Sequence, residues 1–158
     1  MTERQQVYNK ILNSLKNLMP SCSQSHLVSL TMMMTGIIMS KKSHLATIGQ
    51  EVPTISKDAS VEKRLHRFVK DEDVNVTQHF LPFAQLLLSA FVDETVHLVI
   101  DSSVVGRDCR VSMVCILYKH RALPIGWTVF KGRKGHQSMD THLEVLQMVA
   151  PLLSLIHI

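Results

Sequence analysis

The sequence predicts a mixed α and α/β fold, in which a helical bundle precedes the start of an α/β domain. Up to about residue 91, apolar residues recur at the three- and four-residue spacing of amphipathic helices. After Val92 they form short continuous runs rich in β-branched residues, which are typical of strands. Because 46% of the 158 residues are hydrophobic, the chain can form a core. We predict domains at 1–92 and 93–152.

Five helices are predicted in the first domain. Pro20 ends the first helix, Pro53 ends the third, and Pro82 marks a kink or break in the last. The second helix should bury its apolar face through Leu27, Leu30, Met34, Ile37 and Ile38. After the first helix, the predicted segments are Gln24–Ser40, His44–Glu51 capped by Ser43, a helix that begins at Ser60, and Val76–Phe91.

The helix that begins at Ser60 is predicted to be basic on one side. It turns Val61, Leu65, Phe68 and Val69 inward, and its opposite side carries Lys63, Arg64, Arg67 and Lys70. Short helices with tight polar turns and one basic face resemble a helix-turn-helix DNA-binding module. A plain bundle with a solvated charged face fits the spacing equally well. The net charge of +4 and the pI near 9.1 suit a nucleic-acid partner, but they are also common among enzymes.

The second domain is predicted to contain three antiparallel strands followed by a helix. The first strand should be covered on both faces, and residues 102–110 should form a polar loop that turns at Gly106. The next two strands are joined by a short turn, so they must pair antiparallel. The predicted segments are strands Val96–Ile100, Val111–Tyr118 and Ala122–Lys131, and helix His142–Leu153. This order begins a ribonuclease H-like fold that is incomplete here, and its sheet should continue with parallel strands.

Asp101, at the end of the first predicted strand, is the candidate catalytic residue and metal ligand. Phosphodiester cleavage by two magnesium ions about 4 Å apart uses such rigidly held carboxylates. From Arg107 to Lys134 the sequence has seven Lys or Arg residues and a single acid, Asp108, as a phosphate-backbone site would need. The alternative is a turn-capping aspartate beside a solvated basic loop. Further DNA contacts are predicted at Arg107, Lys119, Arg121, Lys131, Arg133 and Lys134.

The segment Leu98–His136 resembles the start of the catalytic domain of bacterial insertion-sequence DDE transposases of the IS-four type. In that family the first catalytic aspartate ends the first strand, and a Gly-Arg loop and a hairpin with the pattern Tyr-Lys-x-Arg-Ala-x-Pro-x-x-Trp follow it. The matching positions here are Asp101, Gly106-Arg107, Tyr118-Lys119, Arg121-Ala122, Pro124 and Trp127. The helix around Arg64–Phe68 resembles the family's helical region, and the resemblance covers about residues 25 to 153.

This resemblance implies a magnesium-dependent enzyme, with manganese as a substitute, that cuts transposon ends and joins them to target DNA. Its partner would be DNA, and the intact protein would form a homodimer. Asp101 would be the first member of the Asp-Asp-Glu triad, and the other two members have no counterpart here. Asp140 and Glu144 belong to the helix before the missing strand. We therefore predict an inactive transposase fragment; the alternative is a non-catalytic DNA-binding protein that acts through its helical half.

Two further features bear on the setting of the protein. Cys22, Cys109 and Cys115 form no CxxC pair, which argues against a disulfide framework or zinc cluster and favours a reducing cytoplasm. We expect no membrane contact, since the apolar stretch at residues 27–39 is interrupted and short.

The tail 153–158 (LSLIHI) is predicted to be artefactual, because its codons could match a library adapter read in frame. A natural strand fragment is the alternative.

Overall fold

Helices form the first part of the molecule, and an antiparallel sheet with helices forms the second. The computed structural model describes residues 1–54, 56–91, 94–106, 108–132 and 139–153. The chain divides into two compact units, Met1–Gln78 and His79–Ile158. Among the described residues, no helix combines the length and the apolar character needed to cross a membrane. The predicted mixed α/β class is confirmed at this level.

Among the described residues of unit 1, four helices are longer than α5, a four-residue helix described below, and the first two of them begin at capping side chains. The first helix ends just before Pro20, as predicted. The Thr2 hydroxyl accepts from the Gln5 N–H at 3.3 Å, and the Ser23 hydroxyl accepts from the His26 N–H at 3.2 Å, so both caps satisfy otherwise free donors. Ser43 does not cap the third helix, whose N-cap residue is His44. The helices are α1 Glu3–Leu18, α2 Gln24–Ser40, α3 Leu45–Glu51 and α4 Asp58–Lys70.

The buried face of α2 differs from the predicted one. Leu27 is buried as expected, but Ile37 and Ile38 are 41% and 53% exposed. The helix instead buries small and polar residues, among them Thr35 and Gly36. A Cβ at Gly36 would overlap both the side chain and the backbone of Ile48 in α3. The apolar pattern was therefore misleading, because small residues allow the closest approach of two helix backbones.

The core of unit 1 includes a cluster of Ile48, Val52, Val61 and Leu65. Phe68 is also buried, as predicted for the inward face of α4. Val69, which was predicted to point inward, is 55% exposed. Val69 is rotated 100° around the helix from Phe68, and this rotation places it outside the narrow buried stripe of α4. α4 thus buries one face and leaves the opposite side open.

The described residues of unit 2 form two α-helices and a three-stranded sheet with the order β1-β2-β3. A four-residue helix, α5 Val76–His79, lies at the division between the units. Pro82 is in the first turn of the next helix, so the predicted break in Val76–Phe91 is confirmed. The elements are α6 Leu81–Leu88, a 3₁₀ turn Ser89–Phe91, β1 His97–Gly106, β2 Cys109–Tyr118, β3 Arg121–Lys131 and α7 Met139–Leu153.

All strand pairs are antiparallel, as predicted. A two-residue turn, Lys119-His120, joins β2 to β3, and both residues have positive φ (45° and 65°), as in the type I′ turns that match strand twist. The register of β1 against β2 shifts between Val104 and Gly106. The register of β2 against β3 shifts between Val114 and Cys115. Each shift adds local twist to the sheet.

β1 differs from the predicted first strand in length and in environment. It extends through Gly106 and lies at the edge of the sheet, and most of its side chains are exposed. The predicted burial on both faces is therefore wrong for the described part of the chain. The described residues of the predicted polar loop 102–110 mostly continue β1 and β2. Serine and aspartate are accommodated in this strand because one of its edges and much of its surface face solvent.

One face of the sheet packs against helices and forms the core of unit 2. Val114, Ile116 and Ile125 of the sheet are fully buried with residues of α6 and α7. A Cβ at Gly126 would overlap the side chain of Val149 in α7, so this glycine permits close packing. Because α6 contributes Ala84 and Leu88 to this core, the division falls before α6. The predicted boundary at residue 92 would have assigned α6 to the first domain.

Candidate nucleic-acid interface and the predicted carboxylate site

Three cations form a row along the exposed side of α4. Lys63, Arg67 and Lys70 are spaced by four and three residues, so they share one helix face. All three are exposed. Within the described ranges, their side chains take part in no hydrogen bond or ion pair. We name these three residues the α4 row; its charges are available to an anionic partner.

Arg64, the fourth predicted DNA contact on α4, forms hydrogen bonds to α2 instead of facing solvent. It is half-buried; its Nε donates to the Ser29 hydroxyl at 3.0 Å, and its Nη2 donates to the Ser25 carbonyl oxygen at 3.2 Å. Burial raises the pKa of Tyr8 in α1, and the nearby positive charge of Arg64 partly offsets this rise. Arg64 therefore ties α4 to α2 close to α1, and its primary role is structural.

A cavity of about 310 Å³ lies beside the α4 row, between α2 and α4. Its lining includes Arg64, Arg67, Phe68 and the pair His26 and Asp71. The His26 ring lies 3.3 Å from the Asp71 carboxylate and contacts the Phe68 ring edge-to-face, with centroids 5.9 Å apart. Reasoning from sequence missed His26 and Asp71. No spacing signal could reveal them, because they are 45 residues apart.

The described members of the predicted basic set of unit 2 do not form one surface. Lys119 lies in the β2–β3 turn, Arg121 is the first residue of β3, and Lys131 is its last residue. Arg121 and Lys131 are ten positions apart along β3, which corresponds to roughly 33 Å. The Lys119 ammonium lies 5.0 Å from the centre of the Tyr118 ring, and its hydrogen bond to Tyr118 raises the pKa of Lys119. The predicted contacts Arg107, Arg133 and Lys134 lie outside the described residues.

Asp101 lies within β1 and not at its end. It is exposed and is paired with Met113 of β2, on the sheet face turned away from α7. Its Oδ1 accepts from the Ser102 N–H at 2.7 Å, and it forms no ion pair with a described cation. Burial, and then the negative charge of Asp101, raise the pKa of the Cys115 thiol, which places the carboxylate near Cys115.

The surroundings of Asp101 do not fit a two-ion magnesium centre. Magnesium takes six oxygen ligands, and a pair of ions needs several bridging or terminal carboxylates. In the part of the chain that the structure describes, no group of three potential metal ligands includes Asp101. Asp101 is thus a single accessible carboxylate on a rigid strand, and it cannot hold two ions alone.

Comparisons with known proteins leave the family open. No protein-family model, no curated protein and no solved structure matches the chain. We therefore infer function from the residues of the two units and from their geometry.

Proposed function

We propose that this chain is the N-terminal part of a DDE transposase, in which unit 1 binds DNA and unit 2 contributes the first catalytic carboxylate. The observation that carries DNA binding is the α4 row, which presents three uncommitted cations on one helix face. The transposase assignment is supported by the resemblance of Leu98–His136. The intact protein would act in DNA transposition and recombination, in the cytoplasm, where the three cysteines stay reduced.

The dimensions of the α4 row suit the backbone of a DNA duplex. Lys63 and Lys70 are seven residues apart, or roughly 10 Å along the helix axis. A duplex carries about six phosphate charges over that length. Residues 52–57 join α3 to α4, and this connection is longer than the three- to four-residue turn of helix-turn-helix modules. We therefore assign the α4 row to backbone contact, which is independent of base sequence.

The catalytic part of the proposal concerns the intact protein. A ribonuclease H-like domain would begin with the three antiparallel strands and α7, and Asp101 would be its first carboxylate. Magnesium, or manganese in its place, would supply charge stabilisation once further carboxylates complete the site. Asp101 is accessible and free of a neutralising cation among the described residues, which is compatible with this role.

Removal of the α4 row tests the DNA-binding role. In the triple variant Lys63→Ala, Arg67→Ala, Lys70→Ala, we expect a loss of affinity for duplex DNA at low salt. The slope of log K against log salt should become shallower by roughly 2.7, since each phosphate contact contributes about 0.9. Fluorescence anisotropy over a salt series measures both quantities.

A matched triple variant separates this surface from a general effect of net charge. Lys10, Lys16 and Lys42 are exposed and lie elsewhere in unit 1. Their replacement by alanine removes the same charge and should leave affinity within roughly threefold, because no phosphate contact is lost. Equal losses in both triple variants, or no binding by the unmodified chain at low salt, would exclude the α4 row as the interface.

A cleavage assay and the reading frame test the catalytic assignment. We expect no magnesium-dependent cleavage of supercoiled plasmid by this chain, because one carboxylate cannot hold two ions. Cleavage that Asp101→Ala abolishes would show a complete site instead. In unamplified source DNA, the frame beyond codon 152 should encode a strand that ends in Asp and, later, a helix with Glu.

A non-catalytic DNA-binding protein is the second candidate, and it is favoured because no group of three potential metal ligands among the described residues includes Asp101. Both candidates predict that DNA binding survives Asp101→Asn. They differ in the downstream reading frame, since only a transposase requires the two further carboxylates. A frame without them would leave DNA binding as the whole function.

A further inference from the structure

A second, smaller cavity lies along α4. Its volume is about 140 Å³, which is enough for several water molecules and therefore for the five heavy atoms of a phosphate group. Its lining combines hydroxyl groups, guanidinium groups and apolar side chains. We name it the α4 cavity, and its described lining residues are Met32, Ser56, Ser60, Val61, Arg64 and Arg67.

The polar lining of the α4 cavity suits an anion. Ser60, Arg64 and Arg67 are spaced by four and three residues, so they lie on one face of α4. Ser56 and Ser60 are exposed, and their hydroxyl groups can donate to an anionic oxygen. Asp58 is in the first turn of α4, but no carboxylate is among the described lining residues. The charges of the described lining are therefore all positive.

The two arginines contribute in different ways. Arg64 is held in place by its hydrogen bonds to the Ser29 hydroxyl and the Ser25 carbonyl oxygen. A guanidinium has five N–H donors, so three remain beyond these two bonds, and a group that is already oriented loses little freedom when it binds. Arg67 has no hydrogen bond or ion pair to another described residue. Its planar fork can bind two phosphate oxygens at once.

The larger cavity between α2 and α4 is less suited to a phosphate, although both arginines line it as well. Asp71 is in its lining, and a carboxylate repels an anion. Both oxygens of Asp71 also have partners already: Oδ2 lies 3.3 Å from Nε2 of His26, and Oδ1 accepts from the Asp73 N–H at 3.1 Å. The smaller cavity is therefore the better site for an anion.

We propose that the α4 cavity binds one phosphate of the DNA backbone. This inference rests on the proposed DNA binding and adds to it a fixed point of contact. The Ser60 hydroxyl and the Arg67 guanidinium donate to the phosphate oxygens, and Arg64 supplies a charge held in place by α2. Lys63 and Lys70 of the α4 row then contact neighbouring phosphates. The positive end of the helix dipole at the start of α4 adds to the attraction.

Titration with two small phosphates tests the cavity without DNA. The probes are inorganic phosphate and dimethyl phosphate, which has the diester linkage of the backbone. In heteronuclear NMR spectra of the 158-residue chain, both should cause saturable shifts at the Ser60 amide and at the Nε–H groups of Arg64 and Arg67, and chloride at equal ionic strength should not. The absence of saturable shifts with both probes overturns the proposal. Shifts with inorganic phosphate alone overturn the DNA backbone as the source and assign the cavity to free phosphate.

A charge introduced at Ser60 tests which residues form the site. Ser60→Asp places a carboxylate in the cavity, so the affinity for dimethyl phosphate should fall by roughly tenfold or more. An acidic residue in the first turn favours a helix, so the variant should stay folded, which circular dichroism checks. Ser14→Asp introduces the same charge at an exposed position of α1 and should leave the affinity within roughly twofold. Equal losses in the two variants would overturn the proposal.

A salt series with duplex DNA separates this inference from the proposed function. In Ser60→Asp the slope of log K against log salt should become shallower by roughly 0.9, since one phosphate contact is lost, whereas Ser14→Asp should leave the slope unchanged. If the unmodified chain binds DNA and Ser60→Asp has the same slope, DNA binding stands and the phosphate site is wrong. If the unmodified chain does not bind DNA at low salt, the proposed function fails, and the backbone as the source of the phosphate fails with it.

Discussion

Unit 1 and unit 2 are stabilised in different ways, and the difference indicates what each can bind. In unit 1 a small apolar cluster is supplemented by polar links between helices, such as Arg64 to Ser29 and an Arg4–Glu51 ion pair at 2.7 Å. In unit 2 a larger apolar cluster joins the sheet to α6 and α7. At its surface, unit 1 presents the three uncommitted charges of the α4 row, whereas unit 2 presents the backbone of its edge strand, β1. The first suits a polyanion, and the second suits another strand.

The largest effect is expected where two backbones meet in unit 1. In Gly36→Ala the new methyl group overlaps the side chain and the carbonyl group of Ile48, and a backbone group cannot move aside. We expect the free energy of unfolding to fall by about 2 kcal/mol, as for overpacked cores. Urea denaturation followed by circular dichroism measures this. As a control, a Cβ at Gly49 would make only ordinary contacts, so Gly49→Ala should stabilise by roughly 0.5–1 kcal/mol through helix propensity.

A smaller effect is expected at the corresponding close approach in unit 2. In Gly126→Ala the overlap is with the Val149 side chain alone, which has more freedom to shift than a backbone. We expect a loss of about 1 kcal/mol, measured by urea denaturation with Trp127 fluorescence. Combination with Val149→Ala should cost less than the sum of the two single changes. A loss at Gly126 larger than at Gly36 would reverse the comparison between the units.

The two arginines of α4 should separate stability from binding. Arg64→Ala removes two interhelical hydrogen bonds, and we expect a loss of about 1 kcal/mol in the free energy of unfolding. Arg67→Ala removes no hydrogen bond or ion pair to another described residue, so its effect on stability should stay within about 0.5 kcal/mol while DNA affinity falls. Urea denaturation and fluorescence anisotropy on the same preparations measure both. If Arg64→Ala left stability unchanged, the structural role of this residue would be wrong.

The smallest effect concerns the ionisation of Cys115. Burial is the larger cause of its raised pKa and Asp101 the smaller, so Asp101→Asn should lower the pKa modestly. Less negative charge favours the thiolate, and the pH profile of alkylation by iodoacetamide should move to lower pH. Cys22→Ser and Cys109→Ser provide a background in which Cys115 alone reacts. Asp108→Asn is the matched control, and an equal shift there would contradict the placement of Asp101 near Cys115.

Local patterns were sufficient for the positions and types of most elements. Gln24–Ser40 was predicted with the observed bounds, the breaks at Pro20 and Pro82 were correct, and the short link at Lys119-His120 required antiparallel strands. These features depend on neighbouring residues, since caps, prolines and two-residue turns act within a few positions. The exposed charge of Lys63, Arg67 and Lys70 also followed from helix spacing alone.

Other features depended on contacts between distant segments. Spacing placed Arg64 with the DNA contacts, but Ser29, 35 residues away, engages it. Apolar periodicity selected Ile37 and Ile38 for the core of α2, whereas close packing at Gly36 turned them outward. The position of β1 at the sheet edge, and hence the exposure of Asp101, required the strand order. Such properties arise when elements pack, because packing determines which of several suitable faces is buried and which polar groups find partners.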